Sequence, residues 1–261
     1  MEELFAEHVD PGFDVFRDEY DQFRDDVQGL ILGTLKAALG SLHERAEAEL
    51  KDLNSKIKNT GRQFFVDQHI GIVQHNANQE RFLRNMAVVA LSSRLTHALR
   101  KFAKAASYFK PRTKTYKGGS EYQQLWNEYS DRFAIDFATN ADRIAFIEPM
   151  RKSRNQIVHN AGEANPFKYG VSFDDLGKGE DAYLELSFSK DCPQFVRGAG
   201  MDAEVEINEK QLEEMVDQSF SLLDWLAKEL RIQHEAWVQE INREREERKK
   251  KASTSVADSP A

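Results

Sequence analysis

The chain has 261 residues, 40% of them hydrophobic and 31% charged, with a formal net charge of −8. That length can bury a sizeable core, the composition is globular and rich in solvated surface, and the negative charge excludes a general polyanion-coating protein. The average hides an asymmetry: Glu2 to Asp26 carries ten acidic residues against Arg17 and Arg24, while Arg100 to Lys117 carries seven basic residues and no acidic one.

In chain order, the acidic opening "MEELFAEHVDPGFD" lacks the basic-then-apolar order of a signal peptide. Phe13, Phe16, Tyr20, Phe23, Val27 and Leu30 then step by three and four, continued by Ile31, Leu35, Leu39 and Leu42. This spacing predicts a long amphipathic helix ending near Lys58, before Asn59-Thr60-Gly61. A second long helix is expected over Val66 to Phe109, with a polar interruption at "QHNANQE" and Phe82, Met86, Val89, Ala90 and Leu99 on its buried side. Pro111 and "KGGS" end it. A third helix starts after Ser120, with Gln123 placed for a capping box and Leu125, Trp126, Tyr129 and Phe133 as its apolar face. "FATNADRIAFIE" follows, and Pro149 marks a kink or a new helix running to about Asn160, stopped by Gly162 and Pro166.

Beyond Pro166, "AYLELSFS" (182–189) and "AEVEIN" (203–208) alternate like half-buried strands around the "RGAG" connection. Asn208 with Gln211 signals the last helix, which carries Val216, Phe220, Leu223, Ala227, Leu230 and Trp237 before "NREREERKKK". The expected architecture is mainly α: one helical bundle over 1–251 with long N- and C-terminal helices. It holds a small β-hairpin near 182–208 inside an insertion at about 167–208, and 252–261 form a disordered tail. Cys192 stands alone, so no internal disulfide or multi-thiolate zinc site is expected. No stretch reaches the roughly 18 apolar residues of a membrane span. A cytoplasmic protein with no membrane partner is expected.

The chemistry concentrates in "RNQIVH", Arg154 to His159. Histidine titrates near neutrality and can take or give a proton. Arginine offers a fixed fork of donors to phosphate oxygens, where charge builds in a transition state. A neutral asparagine holds a substrate group without competing for the proton. Asn155 and His159 are four apart and share a helix face; Arg154 lies roughly 140° from His159 on an ideal helix. No metal is needed when the nucleophile is the ribose 2′-hydroxyl beside the phosphate, so no metal and no cofactor is expected.

The Arg154-Asn155-x-x-x-His159 spacing, with Asn160-Ala161-Gly162 after it, resembles the HEPN superfamily. Its hallmark is an arginine followed after a short spacer by a histidine, late in a helical bundle. The resemblance covers Pro149 to Gly162 at the level of sequence. It implies a homodimer packed through the motif face and a metal-independent endoribonuclease that leaves 2′,3′-cyclic phosphate and 5′-hydroxyl ends. Members of this kind are often toxins or antiviral defence effectors, which implies an antitoxin or other regulatory partner. By the same resemblance His159 does acid or base work, Arg154 steadies the phosphate and Asn155 orients the group. Other members keep the bundle as a non-catalytic module binding nucleic acid, nucleotide or protein. A third reading makes the long helices a scaffold and the motif incidental.

The basic stretch supplies the second set of candidates, with RNA as the partner. Arg112, Lys114 and Lys117 with Tyr116 suit backbone contact and base stacking, and Arg151 and Lys152 flank the motif. "HERAE" at His43 and "HEAWV" at His234 lack the second histidine of a metalloprotease helix.

Overall fold

A computed structural model describes residues 15–56, 62–160, 196–197, 204–205 and 207–257, with side chains over 15–56, 64–158, 205 and 207–248. The protein is mainly helical. In chain order come α1 (Val15–Asp25), a π-helical stretch (Asp26–Gly33), α2 (Thr34–Lys56) and α3 (Arg62–Ala105), closed by a 3₁₀ turn (Ala106–Tyr108). After these follow α4 (Glu121–Phe133), α5 (Ala141–Ile144), α6 (Ile147–Asn160), β1 (Val196–Arg197), β2 (Glu204–Val205) and α7 (Glu209–Ala257).

The described residues fall into two compact units, each assembled from separate stretches of chain. The first lies within Met1–Gln22, Thr96–Ala141 and Ser221–Ala261, the second within Phe23–Leu95 and Asp142–Phe220.

An aromatic core holds the first unit. Phe16 meets Phe102 and Phe109 edge-on, and Phe109 continues to Phe133, His234 and Trp237. Phe137 bridges Trp126 and Trp225. Tyr129 is fully buried and its hydroxyl donates to the Leu99 carbonyl at 2.7 Å, satisfying the one polar atom a buried tyrosine brings. In the second unit Val27, Val88, Leu91, Leu95, Met150, Ile207 and Met215 are buried, and Phe23 packs edge-on to Phe220.

Ser120 caps α4 as expected, accepting from the Gln123 N–H at 3.2 Å, while the Gln123 side chain turns on to Asn127. The box at α7 is reciprocal: Asn208 Oδ1 accepts from Gln211 N–H at 2.8 Å, and Gln211 Oε1 accepts from Asn208 N–H at 2.9 Å. Gly118 and Gly119 precede α4 with φ of +82° and +70°, two successive left-handed residues that only glycine adopts without strain.

Four expectations change. The apolar stripe of the first helix breaks at Leu30, which is 69% exposed, because the π-helical stretch widens the turn and rotates the register after Val27. Helix α3 has no interruption at "QHNANQE", which is helical throughout. There Asn76 and Arg84 donate to Glu80, Gln79 bonds His75, and His43 of α2 meets Glu80 at 2.8 Å. The buried side of α3 runs through Asn85, Val88, Leu91, Ser92, Leu95 and Leu99, leaving Phe82 63% and Met86 44% exposed. The polar members of that face disguised it in the sequence. Finally, α7 runs to Ala257, past the tail boundary at 252.

Of the two strands read from the sequence, 182–189 lies outside the described residues. Glu204–Val205 pairs antiparallel with Val196–Arg197, in the register Val196↔Val205 and Arg197↔Glu204.

Candidate functional site

Helix α6 belongs to the second unit. Pro149 sits in its first turn, where the missing N–H costs no helical bond. Glu148 forks onto Arg151 in the same turn, Oε2 accepting from Nε at 2.7 Å and Oε1 from Nη2 at 2.5 Å. Those hydrogen bonds hold the Glu148 carboxyl below the usual glutamate range, and the same carboxylate raises Arg151.

Ile147, Met150, Ser153 and Gln156 form the buried side of α6, three residues apart along the helix. Ser153 is fully buried, with no hydrogen-bond partner for its Oγ among the described residues. Strand β2 packs against this helix. It is tied in turn to α3 by Asn85, whose Nδ2 donates to the Val205 carbonyl at 3.1 Å. The helix is thus fixed from behind, which is what a site on its outer side requires.

Arg154 and Asn155 flank that buried side, both half-buried. Arg154 Nη1 donates to Asn155 Oδ1 at 2.8 Å. The helix continues unbroken through Asn160, so residue 159 stands one turn beyond residue 155 on the same face. His159 lies in the last turn; its side chain is outside the described residues. Lys152 is half-buried.

No family model matches this chain, and no curated protein or solved structure matches it. The chemistry is read from the residues alone.

The basic stretch lies in the first unit, and acidic residues of α4 meet it. Arg112 pairs with Glu128 at 3.3 Å, Lys114 with Asp131, and Arg100 with Glu121. Tyr116 lies under both neighbours, 5.3 Å from Lys114 Nζ and 5.9 Å from the Arg112 guanidinium. The Lys114 hydrogen bond pulls Asp131 below the usual aspartate range, and Lys114 is raised by the same contact. Lys117 is exposed. The sequence run is therefore balanced in space by acids 16 to 21 residues away in α4, a partnership that no local reading of "KPRTKTYK" reveals.

Sequence reasoning also missed the pair beneath this loop. Arg132 and Glu128, with 4% and 8% of their side chains exposed, form a buried ion pair. Arg132 further donates to the Lys110 carbonyl through Nε at 3.2 Å and Nη2 at 2.6 Å, and to Ser107 Oγ at 3.2 Å. Its i,i+4 spacing from Glu128 was the available signal. Among the described residues, no group of His, Cys, Asp and Glu could hold a metal ion, and no helix is long and apolar enough to cross a membrane.

Proposed function

We propose that the protein is a metal-independent endoribonuclease of the HEPN type, acting in the cytoplasm as a homodimer through the motif face. The observation that carries this reading is the Arg154–Asn155 hydrogen bond, one turn before His159 on a helix anchored from behind. In the reaction the ribose 2′-oxygen attacks phosphorus and the 5′-oxygen departs. The 2′-hydroxyl loses a proton and the leaving oxygen gains one. His159 handles a proton at one of these two oxygens, Arg154 offsets charge on the non-bridging oxygens, and Asn155 positions the arginine. Arg151 and Lys152 add positive field beside the motif. In the first unit, Arg112, Lys114, Lys117 and Tyr116 supply RNA contacts; the Lys114–Asp131 pair is exposed, and such pairs are weak and exchange readily for phosphate. A toxin or defence role, with an antitoxin or other regulator, follows from the resemblance alone.

The second reading is a non-catalytic HEPN-like module that binds nucleic acid, nucleotide or a protein partner. It is favoured by the carboxylate partners that Arg112, Lys114 and Arg151 already have. Replacing His159 by alanine separates the two. The enzyme reading expects cleavage to fall by about 10² to 10⁴ with unchanged helix content; RNA binding without any wild-type cleavage supports the module.

A further inference from the structure

A cavity of about 420 Å³ opens in the first unit between the end of α3 and α4, a size typical of small-molecule sites. The cations Arg100, Lys104, Arg112 and Arg132 line it together with the carboxylates Glu121 and Glu128. These charges are unequal in availability. Arg132 spends its donors on Glu128, the Lys110 carbonyl and Ser107, and its guanidinium lies 4.7 Å from the Phe133 ring centre. It is a fixed wall of the cavity, and it neutralises Glu128 from within.

Arg112 is then a second cation on a carboxylate already matched. It reaches the other oxygen at 3.3 Å, with 49% of its side chain exposed. Arg100 pairs with Glu121, and both are largely solvated. Lys104 is exposed and makes no ion pair among the described residues. Arg100, Lys104 and Arg112 thus stand around the mouth against one exposed carboxylate, and Ala103 and Leu125 add apolar wall. Such surplus positive charge, over a recess with a rigid buried pair, suits a compact anion. Arginine forks match a phosphoryl group in particular.

We propose that this cavity is a binding site for a phosphomonoester or diphosphate group. Arg112 turns from Glu128 to the ligand, and Lys104 and Arg100 complete the shell. The proposal does not depend on the catalytic part of the ribonuclease reading, because no motif residue of α6 lines the cavity; Arg112 alone is shared with the RNA contacts proposed above.

The test is calorimetric titration of the full chain with inorganic phosphate and with pyrophosphate, against chloride at matched ionic strength. Saturable binding is expected for the phosphates alone, weakened at least about tenfold by Lys104→Ala and by Arg112→Ala. Lys104→Ala leaves the Arg132–Glu128 pair untouched, so its loss of binding cannot be a folding defect of that pair. The control Lys51→Ala, on α2 in the second unit, binds as wild type. Competition by a 5′-phosphorylated oligonucleotide but not its 5′-hydroxyl form would identify an RNA end as the source. Competition by a nucleoside monophosphate alone would identify a free metabolite. Binding no greater than chloride's, or unchanged in both cavity variants, overturns the proposal.

Discussion

Arg154 donates its Nη1 hydrogen bond to Asn155, the very next residue of α6. Adjacent positions on a helix point about 100° apart and do not face each other, so the contact exists only because the arginine stem bends across. It carries the guanidinium toward the face that Asn155 shares with position 159. The angular gap between Arg154 and His159 in the sequence pattern is thereby narrowed.

This geometry predicts that Arg154→Lys will not restore activity lost in Arg154→Ala. A lysine is a single point of charge; it cannot hold Asn155 and span two phosphate oxygens together. Both variants should lose about 10² in kcat, whereas Asn155→Ala should affect KM and kcat together by freeing the arginine. Steady-state kinetics on a short RNA separates these patterns. A lysine variant within a factor of two of wild type would show that the fork is unimportant.

Acid should loosen the start of α6. Glu148 titrates below its ordinary value of 4.5 because Arg151 hydrogen-bonds its charged form. A depressed folded-state pKa means that the stabilisation is complete above that ordinary value and disappears as pH falls through the lowered one. Amide protection over α6, taken relative to the intrinsic exchange rate at each pH, should therefore fall in wild type as pH drops below the usual glutamate range. In Glu148→Gln this acid-dependent part should be missing. Identical pH profiles would contradict the linkage.

Ala134 ends α4 with φ of 51°, the one non-glycine residue with positive φ among those described. It is exposed, and its N–H closes back on the Tyr129 carbonyl, an arrangement glycine adopts without Cβ strain. Ala134→Gly should raise stability by roughly 0.5–1 kcal/mol, the steric relief exceeding the added chain entropy. Urea denaturation would register it as a higher midpoint at constant slope; a lower midpoint would refute the strain.

The sequence disclosed what is periodic or capped. The long helices, the Ser120 and Asn208 starts, the Pro149 start and the Leu125–Phe133 face are all local signals. The buried side of α3 escaped it because Asn85, Ser92 and Thr96 share that side with leucines, while Phe82 and Met86 are left out. The π-helical stretch escaped because a change of hydrogen-bond spacing leaves no mark on composition. The spacing within "RNQIVH" is local, so the shared helix of Arg154, Asn155 and residue 159 is legible from the sequence. The carboxylates that meet Arg112 and Lys114 come from another helix, and only folding brings them together.

The most direct test of the ribonuclease reading is incubation of a mixed RNA panel in EDTA with wild-type protein beside His159→Ala, followed by analysis of the new ends. The reading predicts cleavage by wild type alone, leaving 2′,3′-cyclic phosphate and 5′-hydroxyl termini. Equal cleavage by both proteins, or no new ends at any wild-type concentration, would contradict it.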